Sequence, residues 1–67
     1  MKSLLTKREK QIFNLLIHNY STKDISIHLK ISEKTVRNHI SNVIQKLSSK
    51  SRLQATLELI RLKEIEL

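Results

Sequence analysis

The chain has no cysteine, glycine, proline or tryptophan, and carries a single Phe and a single Tyr. Each absence excludes something. Without cysteine there is no disulfide to staple a small core and no thiolate to act as nucleophile or metal ligand, and a reducing compartment is the natural setting. Without glycine and proline, the tight turns of hairpin-rich β folds lose their usual residues, which leaves a nearly all-helical chain. A glycine-rich loop is excluded as well. One Asp and three His, spread over different expected helices, make no catalytic or metal-ligating group. The chain therefore reads as a non-enzyme with no cofactor and no metal. No stretch approaches membrane-spanning length, and residues 1–10 (MKSLLTKREK) lack the apolar run of a signal peptide. A cytoplasmic, nucleoid-associated protein is expected.

What is present is positive charge. Thirteen Lys and Arg stand against six Asp and Glu, a formal charge of +7. Residues 1–52 hold eleven of the basic and three of the acidic side chains, whereas residues 53–67 hold two basic and three acidic. A polyanionic partner is implied, placed toward the first three quarters of the chain. Sixty-seven residues make one domain, 1–67, whose core supplies only a few kcal/mol. Support from a second copy is a natural remedy.

Four helices are expected. The first starts at Thr6, where Thr6 and Glu9 form a capping box, and ends near Asn19, which tolerates a left-handed turn. Its buried face is Ile12, Phe13, Leu16 and Tyr20. His18 falls near its end as a surface residue. The second runs from about Thr22 to Leu29, capped by Ser21 or Thr22, with Asp24 in its first turn and Ile25 and Leu29 facing the core. Lys30 and Ile31 make a turn, and Ser32 caps the third helix. The segment from about 21 to 47 thus reads as a helix-turn-helix.

At about 100° per residue, Val36, Ile40, Val43, Ile44 and Leu47 of the third helix share one sector that must be buried. Lys34, Arg37, Asn38, Ser41 and Gln45 lie opposite, with Thr35 and His39 flanking, and no acidic residue falls on that stripe. Glu33 sits in the first turn, where it helps the helix start. The chemistry of the stripe suits a duplex. Arg37 can donate twice to guanine, Asn38 can pair with adenine, and Ser41 can bond several base edges. Lys34, Thr35 and Gln45 are better placed for phosphates.

The fourth helix, about Arg52 to Glu64, carries two apolar stripes. Ala55, Leu59 and Leu62 form one; Leu53, Leu57 and Ile60 form another on nearly the opposite side. A small domain buries one stripe, so the second is expected at a homodimer interface. Alternatively, Leu4, Leu5, Ile65 and Leu67 fold over it.

Other classes fit less well. A basic membrane-surface helix needs a broad apolar face bordered by aromatics, and a single-strand binder needs exposed aromatics for stacking. A protein-interaction module explains the fourth helix but not the acid-free stripe on the third.

Several runs carry a resemblance. Leu5-Thr6-Lys7-Arg8-Glu9, then Ile25 and Leu29, then Ile31 through His39 (ISEKTVRNH), then Lys46-Leu47, Arg52 and Ala55 are similar to the DNA-binding domain of LuxR/FixJ-type bacterial transcription regulators. The likeness covers about residues 4–65. It is stronger still toward a free-standing member that controls late spore-coat genes. The resemblance implies a four-helix, all-α domain whose third helix enters the major groove of double-stranded DNA and whose fourth mediates dimerisation. It implies base contacts at Arg37, Asn38 and Ser41 and phosphate contacts around Lys23, Lys34, Thr35 and Lys46. Contact with RNA polymerase, and control by abundance in place of a receiver or ligand domain, would follow. Ser48 stands where such domains often have Gly, so strain is expected at the end of the third helix.

Overall fold

The computed structural model describes residues 4–66. Their order is α1 (Lys7–Leu16), α2 (Thr22–Leu29), α3 (Glu33–Lys46) and α4 (Arg52–Arg61). Among the described residues every regular element is a helix. Each begins at a hydroxyl cap. Thr6, Ser21, Ser32 and Ser51 are extended, and their side-chain oxygens accept from the backbone N–H of Glu9, Asp24, Thr35 and Gln54. At α1 and α2 the acid three residues on returns a bond to the cap's own N–H, so both are complete capping boxes.

The helix ends are more unusual. A glycine-free chain still turns left-handed after all four helices, at Asn19 (φ 69°), Lys30 (φ 59°), Ser48 (φ 52°) and Lys63 (φ 60°). In each case the next residue donates back across the turn: Tyr20 to the Leu15 carbonyl, Ile31 to Ser26, Ser49 to Ile44 and Glu64 to Leu59. These are the bonds of a Schellman-type stop, which satisfy carbonyls that the helix leaves open. Asn19 and Ser48 behave as their positions in the sequence lead one to expect. Lys30 and Lys63 carry the same conformation with no local signal. Two boundaries move accordingly. α1 stops at Leu16 rather than near Asn19, since residues 17–19 already belong to the turn, and α4 stops at Arg61 rather than Glu64, since the chain reverses at Lys63.

α3 packs against each of the other three helices. Ile12 and Phe13 of α1, Ile25 of α2, Val36, Ile40 and Val43 of α3, and Ala55 and Leu59 of α4 are all buried, joined by Leu5 before α1 and Ile65 after α4. Each large apolar side chain so buried is worth about 1.5–3 kcal/mol. Three expectations shift. Tyr20 lies past the end of α1, is 37 % exposed, and meets His28 edge-on with ring centroids 5.9 Å apart. Leu62, expected inside, is the capping residue of α4 and is 39 % exposed. Ile60, expected on the outer stripe, is half-buried and packs against the core.

One buried charge joins residues 37 apart in sequence. Glu9 is 3 % exposed, and its Oε1 accepts from the Thr6 N–H at 2.9 Å and from Lys46 Nζ at 2.6 Å. Lys46 Nζ also reaches the Leu4 carbonyl at 3.4 Å. The start of α1 is thereby fastened to the end of α3, and no buried side-chain nitrogen or oxygen among the described residues lacks a partner. Burial disfavours the Glu9 charge, but the bonds from Lys46 and Thr6 and the Lys46 charge outweigh it and hold the carboxyl below its ordinary 4.5.

Two outcomes follow from these features. A carboxyl with a depressed folded pKa stabilises fully above the unfolded value and loses that contribution as pH falls through the folded one. Urea midpoints should therefore drop from about pH 5 downward, and Glu9→Gln should be less stable at neutral pH with a shallower acid decline; an unchanged decline would contradict the pairing. Ser48→Gly and Lys63→Gly should each raise the unfolding free energy by about 0.5–1 kcal/mol, because a Cβ is costly at positive φ. A lowered urea midpoint would contradict that account.

Candidate nucleic-acid interface

α3 spans 14 residues, about 21 Å at 1.5 Å per residue. Val36 and Val43 are fully buried and Ile40 is 5 % exposed. With that flank inside, Lys34, Arg37, Asn38, Ser41, Asn42 and Gln45 are exposed, and Thr35 and His39 are half-buried at the margins. The outward face read from helical periodicity is thus the outward face of the structure.

The individual side chains are differently placed. Asn38, Ser41 and Gln45 carry no side-chain bond to the protein among the described residues, so their donors and acceptors are open to a ligand. Arg37, with a side chain 58 % exposed, is held at 3.2 Å by Glu33 Oε2 one turn earlier. Such an exposed i,i+4 pair is worth at most a few tenths of a kcal/mol, so it pre-aligns the guanidinium without locking it. Thr35 Oγ1 accepts from Ser32 Oγ at 2.9 Å, which leaves its own hydroxyl proton free to donate outward. Lys34 is exposed on the first turn of α3, and Lys23 is exposed on the first turn of α2.

Lys46 departs from this set. Its ammonium is committed to Glu9 and to the Leu4 carbonyl, so its charge is already balanced within the protein. The side chain nonetheless stays 39 % exposed while making this structural pairing. Nothing local in the sequence signals it, because the two partners are 37 residues apart. The Glu33–Arg37 pair, by contrast, stands at the ordinary helical ion-pair spacing and could have been found from it.

Leu53 and Leu57 of α4 are 68 % and 57 % exposed. Leu5 and Ile65 enter the core, Leu4 is 50 % exposed, and Leu67 lies outside the described residues. The described termini therefore do not cover the outer stripe. Leu53, Leu57 and the half-buried Ile60 instead form one wall of a groove of about 600 Å³, whose other wall includes Leu16, Ile17 and Tyr20. The three histidines are apart in function as well: His18 Nδ1 lies 2.7 Å from the Asn14 carbonyl at the end of α1, His28 meets Tyr20, and His39 flanks the α3 face. No group of three potential metal ligands gathers among the described residues, and no helix among them is long and apolar enough to cross a membrane.

Comparison with known proteins agrees with this geometry. The profile of bacterial regulatory proteins of the luxR family matches residues 3–59. Spore germination protein GerE of Bacillus subtilis (strain 168) is 59% identical over 66 residues, covering 98% of this chain and 89% of that protein. Transcriptional regulatory protein DegU of Brevibacillus brevis is 45% identical over 58 residues, covering 87% of this chain but 25% of its own length. A solved structure of the transcription factor GerE superposes with a TM-score of 0.95 and 69% identity, covering 97% of each chain. The four-helix fold and its helix-turn-helix are those of that structure. DegU is named a transcriptional regulatory protein and GerE a transcription factor. On these matches, the chain belongs to the luxR family of bacterial regulatory proteins.

Proposed function

We propose that this protein is a sequence-specific, double-stranded-DNA-binding transcription regulator that acts on promoters as a homodimer, in a spore-coat or sporulation setting like that of the GerE relative. One observation carries the reading. α3 buries Val36, Ile40 and Val43 and turns toward solvent a face of amide, hydroxyl and cationic groups whose one neighbouring acid, Glu33, is paired with Arg37. In the major groove Arg37, Asn38 and Ser41 would take base edges, while Lys23, Lys34, Thr35, Gln45 and Lys46 would take phosphates and set the register. The family membership supports the same assignment.

Dimerisation runs through the outer stripe of α4, with Leu53 and Leu57 at its centre and Ile60 at its inner edge. The exposure of two leucines one turn apart supports it. A two-fold dimer places two recognition helices about one helical turn apart along the duplex, so the target is a pair of half-sites. The whole chain, 1–67, acts as one domain in the cytoplasm, at the nucleoid, and the bound dimer touches RNA polymerase.

Arg37→Ala should cost about 1–3 kcal/mol on the preferred site and blunt discrimination at one base pair, read by fluorescence anisotropy on a panel of single-substitution duplexes. An equal loss on random DNA would remove the base-reading role. Leu57→Asp should sediment as a monomer while keeping its helical circular dichroism; a persisting dimer would take the outer stripe of α4 out of the interface.

A further inference from the structure

Beside the reading face lies a second feature that neither the periodicity of α3 nor the family likeness assigns. A shallow depression of about 380 Å³ is lined by Thr22, Arg37, Ile40, Ser41 and Arg52. Three helices meet there: Thr22 opens α2, Arg37, Ile40 and Ser41 stand mid-way along α3, and Arg52 opens α4. Ile40, 5 % exposed, is its apolar member, and two arginines and two hydroxyl-bearing residues complete the lining. No carboxylate lines it.

The two arginines come from residues far apart in sequence, so the depression exists only in the folded domain. Arg52 is held in place by its backbone. Ser51 Oγ accepts from the Gln54 N–H at 3.2 Å, and Gln54 Oε1 accepts from the Lys50 N–H at 3.0 Å, so the entry to α4 is fixed on both sides. The Arg52 carbonyl accepts from Thr56 Oγ1 at 2.8 Å. Its side chain, in contrast, forms no ion pair or hydrogen bond among the described residues. Arg61 and Lys46 are tied to Glu58 and Glu9, and Arg37 to Glu33. Arg37 has Glu33 as its acidic partner, so Arg52 is the lining cation whose donors stay open to an anionic ligand.

We propose that Arg52, with Thr22, forms a binding subsite for one phosphodiester of the duplex backbone, beside Arg37 and the base contacts of α3. The subsite rests on the DNA-binding reading given above and adds Arg52 and Thr22 to it. A planar guanidinium presents two parallel donors to a phosphate, and the Thr22 hydroxyl adds a third. The depression is open and shares Arg37 and Ser41 with the reading face, so the phosphate is delivered by the duplex that α3 engages. A free anion would be held only weakly in so exposed a place. Arg52 also borders the groove of Leu53 and Leu57, which puts this subsite at the junction between the DNA face and the α4 stripe.

The test is Arg52→Gln, with Arg52→Lys as its charge-preserving companion, in anisotropy titrations on a selected duplex and a random one across a salt series. Sedimentation of each variant runs in parallel. Arg52→Gln should weaken both duplexes by the same factor, on the order of tenfold, and flatten the log–log salt slope by about 0.9 for each phosphate lost. Arg52→Lys should keep the wild-type slope, and both variants should sediment as the wild type does. An unchanged slope in Arg52→Gln, a loss confined to one base pair, or a loss that tracks conversion to monomer would overturn the subsite while leaving DNA binding intact. Inorganic phosphate should displace the duplex no better than chloride at equal ionic strength; stronger displacement would make this a free-anion site and overturn the duplex assignment. Wild-type protein that bound no duplex would overturn both readings together.

Discussion

The orientation of α3 about its own axis is the constraint on which the rest depends. Val36, Ile40 and Val43 can be inside only if Lys34, Arg37, Asn38, Ser41 and Gln45 are outside. Rotating the helix far enough to alter that would bring three apolar side chains into water at about 1.5–3 kcal/mol each, a sum comparable with the whole stability of a small domain. The hydrophobic effect therefore aims the polar face, although none of its energy comes from the residues that are aimed. Specific recognition needs side chains held by a rigid element, and here the rigidity is supplied from behind.

The other three helices serve that one. α1, α2 and α4 all pack against α3, and the Glu9–Lys46 contact joins the start of α1 to the last turn of α3. That contact combines two tasks in one carboxylate, since Glu9 also completes the capping box with Thr6. Losing Lys46 would leave a buried charge with only one partner, a costly state in a core this small. A second tension sits at the helix ends. Four left-handed residues without one glycine mean that compact turns between helices are obtained at some cost in backbone energy, offset by carbonyls that the Schellman-type bonds satisfy.

Much of this was legible in the residues. Ser and Thr ahead of an acid at the right distance marked the starts of α1 and α2, because capping is local chemistry. The buried sector of α3 followed from a 3.6-residue period sustained over four turns, and the open sector followed by subtraction. α4 was read less well. Its two stripes were distinguishable, but Ile60 turned partly inward and Leu62 partly outward, because the last turn of a helix that reverses at Lys63 no longer obeys the projection. Pairings across the fold were not legible at all. The Glu9–Lys46 ion pair, and the depression that Arg37 and Arg52 both line, depend on how helices cross, which no local window contains. The family likeness pointed to Lys46 as a phosphate contact; the structure adds its ion pair with Glu9.

The central claim is that the open flank of α3 fits the major groove and reads it in pairs. Selection of bound fragments from a pool of random duplexes tests this most directly. The account predicts enrichment of a common sequence made of two half-sites whose centres lie about 10–10.5 base pairs apart. A pool that stays random after repeated rounds at low ionic strength would contradict it.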